Sequence, residues 1–329
     1  MHVLVIGGNR FVGWLLGFRL LAGGHKLTLL NRGSLPDPFG DRAERLVGDR
    51  TRDLERLVAG RRFDACVDLA AFTGEDGRRA VEILRGKVGH LVMVSTGQVY
   101  LVREGCPRPA HEDDYDGPLM PRPADPADLE DWEYGIGKRD CEDALARAHA
   151  ETGFPATRVR LPMVNGERDY YRRVESYLWR LLDGGPVILP DGGTHRVRHV
   201  YGGEAARFLC EILLRADTFG RAYNLSQHET PTLAELIGRL RHHLGSRSPI
   251  VNVPAERIRR AGLDPVAISP FSGRWMSFLD PRRVERDLGF HHEPLEIYLG
   301  RIVASFLAHP PVDRPAGLAS RERELRVLG

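Results

Sequence analysis

Short apolar runs alternate with longer stretches of helical spacing through the first half of the chain. Val3–Ile6, Lys26–Leu30, Ala65–Ala70 and His90–Val94 are rich in Val, Leu, Ile and Ala and end at glycine or polar turns, which predicts strands buried on both faces. Between them, Phe11–Ala22, Asp53–Ala59 and Gly77–Leu84 carry the periodicity of amphipathic helices. This alternation predicts an α/β fold with a doubly wound parallel sheet. From Val99 to Trp132 the rhythm breaks, and proline and acidic residues crowd together, including His111-Glu112-Asp113-Asp114. A loop of that length inside a compact domain is either a lid over a site or disordered, and residues 103–131 are the candidate lid. A helix from about Trp132 to Glu151 and a strand around Thr157–Leu161 follow. Beyond them the pattern predicts helices near Arg173–Leu182, Glu204–Leu214, Leu233–Leu244, Pro281–Leu288 and Leu295–Leu307, with a strand around Ile250–Val253.

Composition narrows the class. A chain of 329 residues with 42% apolar content can bury the core of one large domain and a smaller one. With 47 basic against 45 acidic residues, the formal charge of +2 offers no global attraction to nucleic acid or an anionic membrane. Cys66, Cys106, Cys141 and Cys210 are widely spaced with no CxxC pair, so neither a metal site nor a disulfide framework is expected. Met1 leads directly into an apolar strand without a charged leader, and no apolar run reaches membrane-spanning length. A soluble, cytoplasmic protein is the expectation.

Candidate chemistry begins at Gly7-Gly8-Asn9-Arg10-Phe11-Val12-Gly13, which follows the first strand and opens the first helix. Glycines in that context let the backbone turn sharply and approach a pyrophosphate, whose charge meets helix N-terminal N–H groups. The spacing is GxxGxxG with Arg10 in place of the middle glycine, where a long cation either reaches a phosphate or points to solvent. The second strand ends in Asn31-Arg32-Gly33-Ser34, with no acid for the ribose 2′-hydroxyl of NAD(H). Arg32, with Ser34 as a second donor, instead favours the 2′-phosphate of NADP(H); the alternative is a solvated arginine in a turn.

Tyr134-Gly135-Ile136-Gly137-Lys138 places a tyrosine and a lysine one turn apart on one helix face. A phenol of pKa about 10 needs roughly 4 kcal/mol of preferential phenolate stabilisation to titrate near neutrality, and an adjacent ammonium can supply it. Ser95-Thr96 closes the strand Leu91–Val94, and the carboxyl ends of strands in open parallel sheets face the ligand crevice.

With these pieces in order, the chain resembles the extended and atypical short-chain dehydrogenase/reductases of the NAD-dependent epimerase/dehydratase superfamily. The nearest likeness is to the branch of chloroplast stem-loop-binding proteins and bacterial relatives. It runs through GGNRFVG, LLNRG, Gly48-Asp49-Arg50, Leu69-Ala70-Ala71, VSTGQVY, YGIGK, Arg160-Leu161-Pro162 to Gly166, His199-Val200 and Asp280 to Gly289. The resemblance implies a Rossmann-type domain over 1–164 and 196–227, a smaller α/β substrate domain over 165–195 and 228–309, and a tail at 310–329 that is draped or frayed. It implies cofactor contacts from Gly7, Asn9, Arg10, Phe11, Val12, Gly13, Asn31, Arg32, Asp49, Arg50, Leu69, Ala70, Ala71 and Lys138, with Asp49 facing the adenine. Thr96, Tyr134 and Lys138 would form the catalytic set, and Ser95 is read as structural. Met163 and Asn165 stand where many epimerases carry asparagine and tyrosine, and Arg196 lies out of register with the family's phosphate-binding arginine. Arg168, Arg172, Arg196 and Arg274 are the candidates for substrate.

The activity implied is hydride transfer at a secondary alcohol or carbonyl, as an oxidoreductase or an epimerase, on a sugar-like substrate (nucleotide sugars included) or another small polar one. Partners are a small molecule and, at most, a second copy in a homodimer. Two other readings are an RNA-binding protein on a dehydrogenase fold and a cofactor-sensing regulator. Near-neutral charge argues against the first and the retained Tyr134 and Lys138 against both.

Overall fold

The computed structural model describes residues 1–329. Its strands are β1 (His2–Ile6), β2 (Lys26–Asn31), β3 (Ala43–Val47), β4 (Ala65–Asp68), β5 (Leu91–Thr96), β6 (Ala156–Leu161), β7 (Met163–Asn165), β8 (Val187–Pro190), β9 (His199–Tyr201), β10 (Ala222–Asn224) and β11 (Ile250–Val253). The helices are α1 (Phe11–Ala22), α2 (Arg50–Leu57), α3 (Gly74–Leu84), α4 (Gln98–Leu101), α5 (Pro126–Thr152), α6 (Arg173–Leu182), α7 (Gly202–Glu211), α8 (Leu233–His243), α9 (Ala255–Arg260), α10 (Pro265–Ile268), α11 (Arg282–Leu288), α12 (Leu295–Ala308) and α13 (Arg321–Arg326). None of them is long and apolar enough to cross a membrane.

The chain divides into two compact units. The first comprises Met1–Pro162, Gly202–Ser226 and Ser277–His291. Its sheet runs β10-β6-β5-β4-β1-β2-β3, and every pairing is parallel. Val3, Leu4, Val5 and Ile6 are fully buried, as a strand covered on both faces requires. The edge strand β3 is absent from the apolar pattern because Glu44 and Arg45 interrupt it. Glu44 instead accepts from Thr28 of β2 at 3.0 Å and pairs with Arg61 at 2.7 Å. Helix α3 opens with a reciprocal Thr73–Asp76 capping box and packs closely on α5. A Cβ at Gly77 would lie 2.9 Å from the Cys141 carbonyl oxygen.

Helix α5 begins earlier than the apolar pattern suggests. Asp125 caps it by accepting from the Ala127 N–H at 2.9 Å, and Pro126 occupies the first turn, so the start signal lies in polar residues. The proline- and acid-rich segment before it is fastened at its centre rather than loose. The Glu112 carboxylate accepts from the Asn224 N–H at 2.7 Å, and the Tyr115 hydroxyl donates to Asp143 at 2.8 Å. Arg139 donates to the Val99 and Tyr115 carbonyls at 2.7 and 2.8 Å. Residues 277–291, expected in the second domain, belong to the first unit. There Ala110 donates to Phe278 and Asp280 donates back to Ala110, at 2.8 and 2.9 Å.

The second unit comprises Met163–Tyr201, Gln227–Met276 and His292–Gly329. It contains two parallel strand pairs, β7 with β9 and β8 with β11. Residues 196–201, expected in the first domain, lie here because β9 pairs with β7. Asn165 and His199 are both buried and bonded side chain to side chain at 3.0 Å, with burial pushing the His199 imidazole down to about 3. The tail is not frayed. Glu324 of α13 is fully buried and meets the equally buried Arg180 of α6 at 3.0 Å, and Val327 joins the apolar cluster of Ile188, Val253 and Ile258. Its apolar positions are too few to show a period, so its docking depends on a charge pair made across the chain.

Candidate active site

The turn from β1 into α1 is one that only glycine makes. Gly7 and Gly8 have φ of +94° and +100°, and a Cβ on Gly13 would stand 2.3 Å from the Gly8 Cα. Arg10 is the N-cap of α1, with extended backbone and an exposed side chain. The first N–H groups of the helix have no partner within the helix itself, which suits an anion. This turn forms one wall of a cavity of about 500 Å³. The opposite wall is Asn31 at the end of β2 with Arg32, Gly33 and Ser34 after it, and Gly48 and Asp49 after β3 with Thr51 in the first turn of α2. Leu69, Ala70 and Phe72 after β4 close it. Of the expected cofactor residues, all but Ala71 and Lys138 line this cavity. Ala71 packs in the core, and Phe72, whose N–H is held by the Asp76 carboxylate, lines the wall. Ile6, Leu30, Leu35, Thr51 and Phe72 are lining residues that the sequence analysis did not assign to the site.

Asp49 caps α2, accepting from the Thr51 N–H at 2.8 Å and its hydroxyl at 2.6 Å, which hold the carboxyl below its ordinary range. Arg50 lines the cavity, but its guanidinium is engaged within the protein. Its guanidinium is buried and donates to Asp68 at 2.8 Å and Asp76 at 2.6 Å. Those carboxylates in turn accept from the N–H groups of Ala70, Phe72 and Thr73 at 2.9, 2.8 and 3.0 Å. Arg50 therefore shapes the wall through the loop after β4, with its charge spent on two carboxylates.

Tyr134 and Lys138 lie on α5, and the glycines beside them bring that helix close. A Cβ on Gly135 would come within 2.6 Å of Val102 and 3.0 Å of the Gln98 carbonyl oxygen, and one on Gly137 within 2.6 Å of the Phe72 carbonyl oxygen. The helix is thus seated between the segment after β5 and the cavity wall after β4. Lys138 is 2% exposed, and its Nζ donates to the Val94 carbonyl of β5 at 2.8 Å. That nitrogen lies 4.9 Å from the centroid of the Phe72 ring and 5.9 Å from that of Tyr134. Burial lowers the pKa of Lys138, and Cys141, Asp68 and Glu142 oppose the shift. Tyr134 is half-exposed, its ring 6.2 Å from Phe72. Thr96 ends β5, and its Oγ1 accepts from the Gln98 N–H at 3.2 Å.

Beneath this arrangement lies a buried polar chain. Ser95 donates to Glu142 at 2.5 Å, Arg160 pairs with Glu142 at 2.6 Å and donates to the Tyr100 hydroxyl at 2.5 Å, and Tyr100 donates to Asn224 at 2.9 Å. Ser95 thus ties the end of β5 to α5 one turn beyond Lys138.

A family model described as the NAD dependent epimerase/dehydratase family matches residues 78–226, the stretch that holds Thr96, Tyr134 and Lys138. A 2'-dehydrokanamycin reductase from Streptomyces kanamyceticus is 30% identical over 262 residues, covering 78% of this chain and 70% of that protein. The chain belongs to the NAD-dependent epimerase/dehydratase family. The resemblance expected from the motifs is thereby met, and the chain is a nicotinamide-cofactor enzyme of that family. A further relative is the chloroplast stem-loop binding protein of 41 kDa b from Arabidopsis thaliana, 26% identical over 58% of this chain and 49% of its own length. Among solved structures, a dTDP-glucose 4,6-dehydratase from Bacillus anthracis in complex with NAD superposes with TM-score 0.73 at 15% identity, over 94% of this chain and 97% of the other. A UDP-glucose 4-epimerase from Thermotoga maritima with UDP-glucose gives 0.73 at 20% identity, over 94% and 99%. At such identities these two establish the fold.

The four arginines expected to meet substrate in this family member lie in the second unit and engage different parts of it. Arg172 is bonded to Glu175 and to the Asp313 carbonyl. Arg196 donates to the Thr230 carbonyl at 2.8 Å, and Arg274 lies over the Trp275 ring at 5.3 Å. Arg168 is exposed, with a φ of +65°.

Proposed function

We propose that this family member is an NADP(H)-dependent oxidoreductase that interconverts a ketone and a secondary alcohol on a sugar-like substrate. The observation that carries the reading is the seating of Tyr134 and Lys138 on α5. The buried ammonium of Lys138 is bonded to β5 two residues before Thr96, and the Phe72 ring joins both side chains to the wall of the glycine-turned cavity. The three glycines and the open end of α1 fit a dinucleotide pyrophosphate, and the bound nicotinamide supplies or accepts the hydride. The chain's own residues handle the proton and the geometry. Tyr134 gives its phenolic proton to the nascent alkoxide in reduction, or takes it from the carbinol in oxidation. Lys138 stabilises the phenolate from the adjoining turn and holds the cofactor ribose. Thr96, whose oxygen already accepts a backbone N–H, directs its own hydrogen to the reacting oxygen.

The relative that reduces 2'-dehydrokanamycin supports the reductive direction and a keto-sugar substrate. The relative named for stem-loop binding supports the alternative of an RNA-binding protein. Against it stands the lack of any net basic excess beyond +2. Consumption of NADPH on addition of 2'-dehydrokanamycin, with an RNA stem-loop binding assay alongside, tests the two. RNA binding without hydride transfer from either nicotinamide cofactor to any keto sugar in a panel would overturn the enzymatic reading.

Cofactor choice rests on Arg32, exposed on the cavity wall beside Ser34, with Asn31 where an NAD-selective site has a carboxylate. Fluorescence titration should show NADPH bound tighter than NADH. Arg32→Ala should weaken NADPH by about tenfold or more while NADH changes little, since one charge-assisted phosphate contact contributes roughly that much. Equal or tighter NADH binding by the unaltered protein would sink the assignment.

A further inference from the structure

Asn31 is occupied by the protein itself, and its partners reach a residue outside the cavity. Its Nδ2 donates to Asn9 Oδ1 at 3.1 Å, and Asn9 Nδ2 donates to the Pro36 carbonyl at 3.3 Å. The glycine turn is thereby clasped to both ends of the loop that carries Arg32 and Ser34. Asn31 Oδ1 accepts from the Gly33 N–H and from Arg45 Nη2, each at 3.0 Å, which uses both of its lone pairs. Arg45 projects from β3, and its other terminal nitrogen meets Asp37 at 3.4 Å. Asp37 in turn accepts from the Phe39 N–H at 2.9 Å. One guanidinium thus spans the loop from Asn31 to Asp37, and it is not among the residues that line the cavity.

We propose that Arg45 is a positioning residue for cofactor discrimination: through Asn31 and Asp37 it sets the loop that presents Arg32 and Ser34 to the 2′-phosphate of NADP(H). This rests on the NADP(H) reading above. Arg32 and Ser34 sit in a short loop around Gly33, whose φ of +73° permits the turn but does not lock it. The clasp from Arg45 and Asn9 supplies the lock. A planar, two-ended donor is needed, because the two acceptors lie at opposite ends of the loop. The pyrophosphate turn keeps its own glycine geometry, so the contacts common to both cofactors do not depend on Arg45.

The test is titration of NADPH and NADH against the unaltered protein, Arg45→Met, Asp37→Ala and the double variant, each first checked by thermal melting. The unaltered protein should prefer NADPH by about tenfold or more, and Arg45→Met should compress that preference to within roughly threefold by loss of NADPH affinity alone. Asp37→Ala, which removes the other anchor of the same guanidinium at a residue outside the cavity lining, should do the same, and the double variant should be no worse than either single one, because both changes break the one span that Arg45 makes. If Arg45→Met keeps the full preference, or loses affinity for both cofactors equally, the proposal is overturned while the NADP(H) reading stands. If the unaltered protein shows no preference, that reading falls and the proposal with it, an outcome visible before any variant is made.

Discussion

Tyr134→Phe should lower single-turnover hydride transfer by about a thousandfold, the scale on which a positioned general acid or base contributes. The absorbance of the reduced nicotinamide reports it, with 2'-dehydrokanamycin and NADPH as the first pair to try. The phenylalanine ring keeps the same contact with Phe72, and Tyr134 is half-exposed, so folding and cofactor affinity should be unchanged. Lys138→Met should behave differently. Its ammonium is buried against the Val94 carbonyl and is assigned both to the phenolate and to the ribose, so cofactor affinity and turnover should fall together. Thr96→Val should act chiefly on turnover. A near-normal rate in Tyr134→Phe would move the proton chemistry to another group and remove the catalytic assignment.

The second large effect is expected in stability. Glu142 and Arg160 are both buried and meet at 2.6 Å, so Glu142→Gln leaves a guanidinium in the interior without its counter-charge. Removing one partner of such a pair costs about 3–5 kcal/mol, to be read from urea denaturation. Arg52 and Asp49 at the surface, 3.9 Å apart, should show almost no such effect when separated. Acid sensitivity follows from the same pair. Burial alone would raise the Glu142 carboxyl, but Arg160 and the Ser95 hydroxyl outweigh it and hold it below its ordinary value of 4.5. A depressed carboxyl contributes stability that is fully present above that value and is lost as pH falls through the lower, folded one. The unaltered protein should therefore lose stability with a steeper slope below about pH 4.5 than Glu142→Gln does. Equal slopes and equal denaturation midpoints would show that the pair contributes nothing to the fold.

Much of the first unit was legible without coordinates because its information is local. A strand buried on both faces must be nearly all apolar, as β1, β4 and β5 are. A backbone that turns through positive φ must be glycine, as at Gly7 and Gly8. A tyrosine and a lysine that share a helix face must stand one turn apart, as Tyr134 and Lys138 do. Polar elements left weaker traces. The strand β3 and the first turns of α5 were missed because edge pairing and capping are written in charged residues that read equally well as loop.

What only the tertiary structure decided is which distant side chains meet. The sequence placed Arg50 beside Asp49 as a cofactor residue, yet its guanidinium is claimed by Asp68 and Asp76, and no local pattern distinguishes a buried arginine from a solvated one. The acidic segment read as a lid or a disordered stretch is fastened through Glu112 and Tyr115, and the tail read as draped or frayed is anchored by Glu324 on Arg180. Ala71, expected at the cofactor, packs in the core, and Phe72, not singled out in the sequence, lines the cavity. The family motif names the stretch, but the direction each side chain takes depends on the register of β4 and on the Asp76 carboxylate that receives the Phe72 and Thr73 N–H groups. Periodicity and turn chemistry act over a few residues and can be read along the chain. Charge pairing and side-chain direction are set by what the folded backbone brings within about 3–4 Å, and that is fixed only when the strands have found their neighbours.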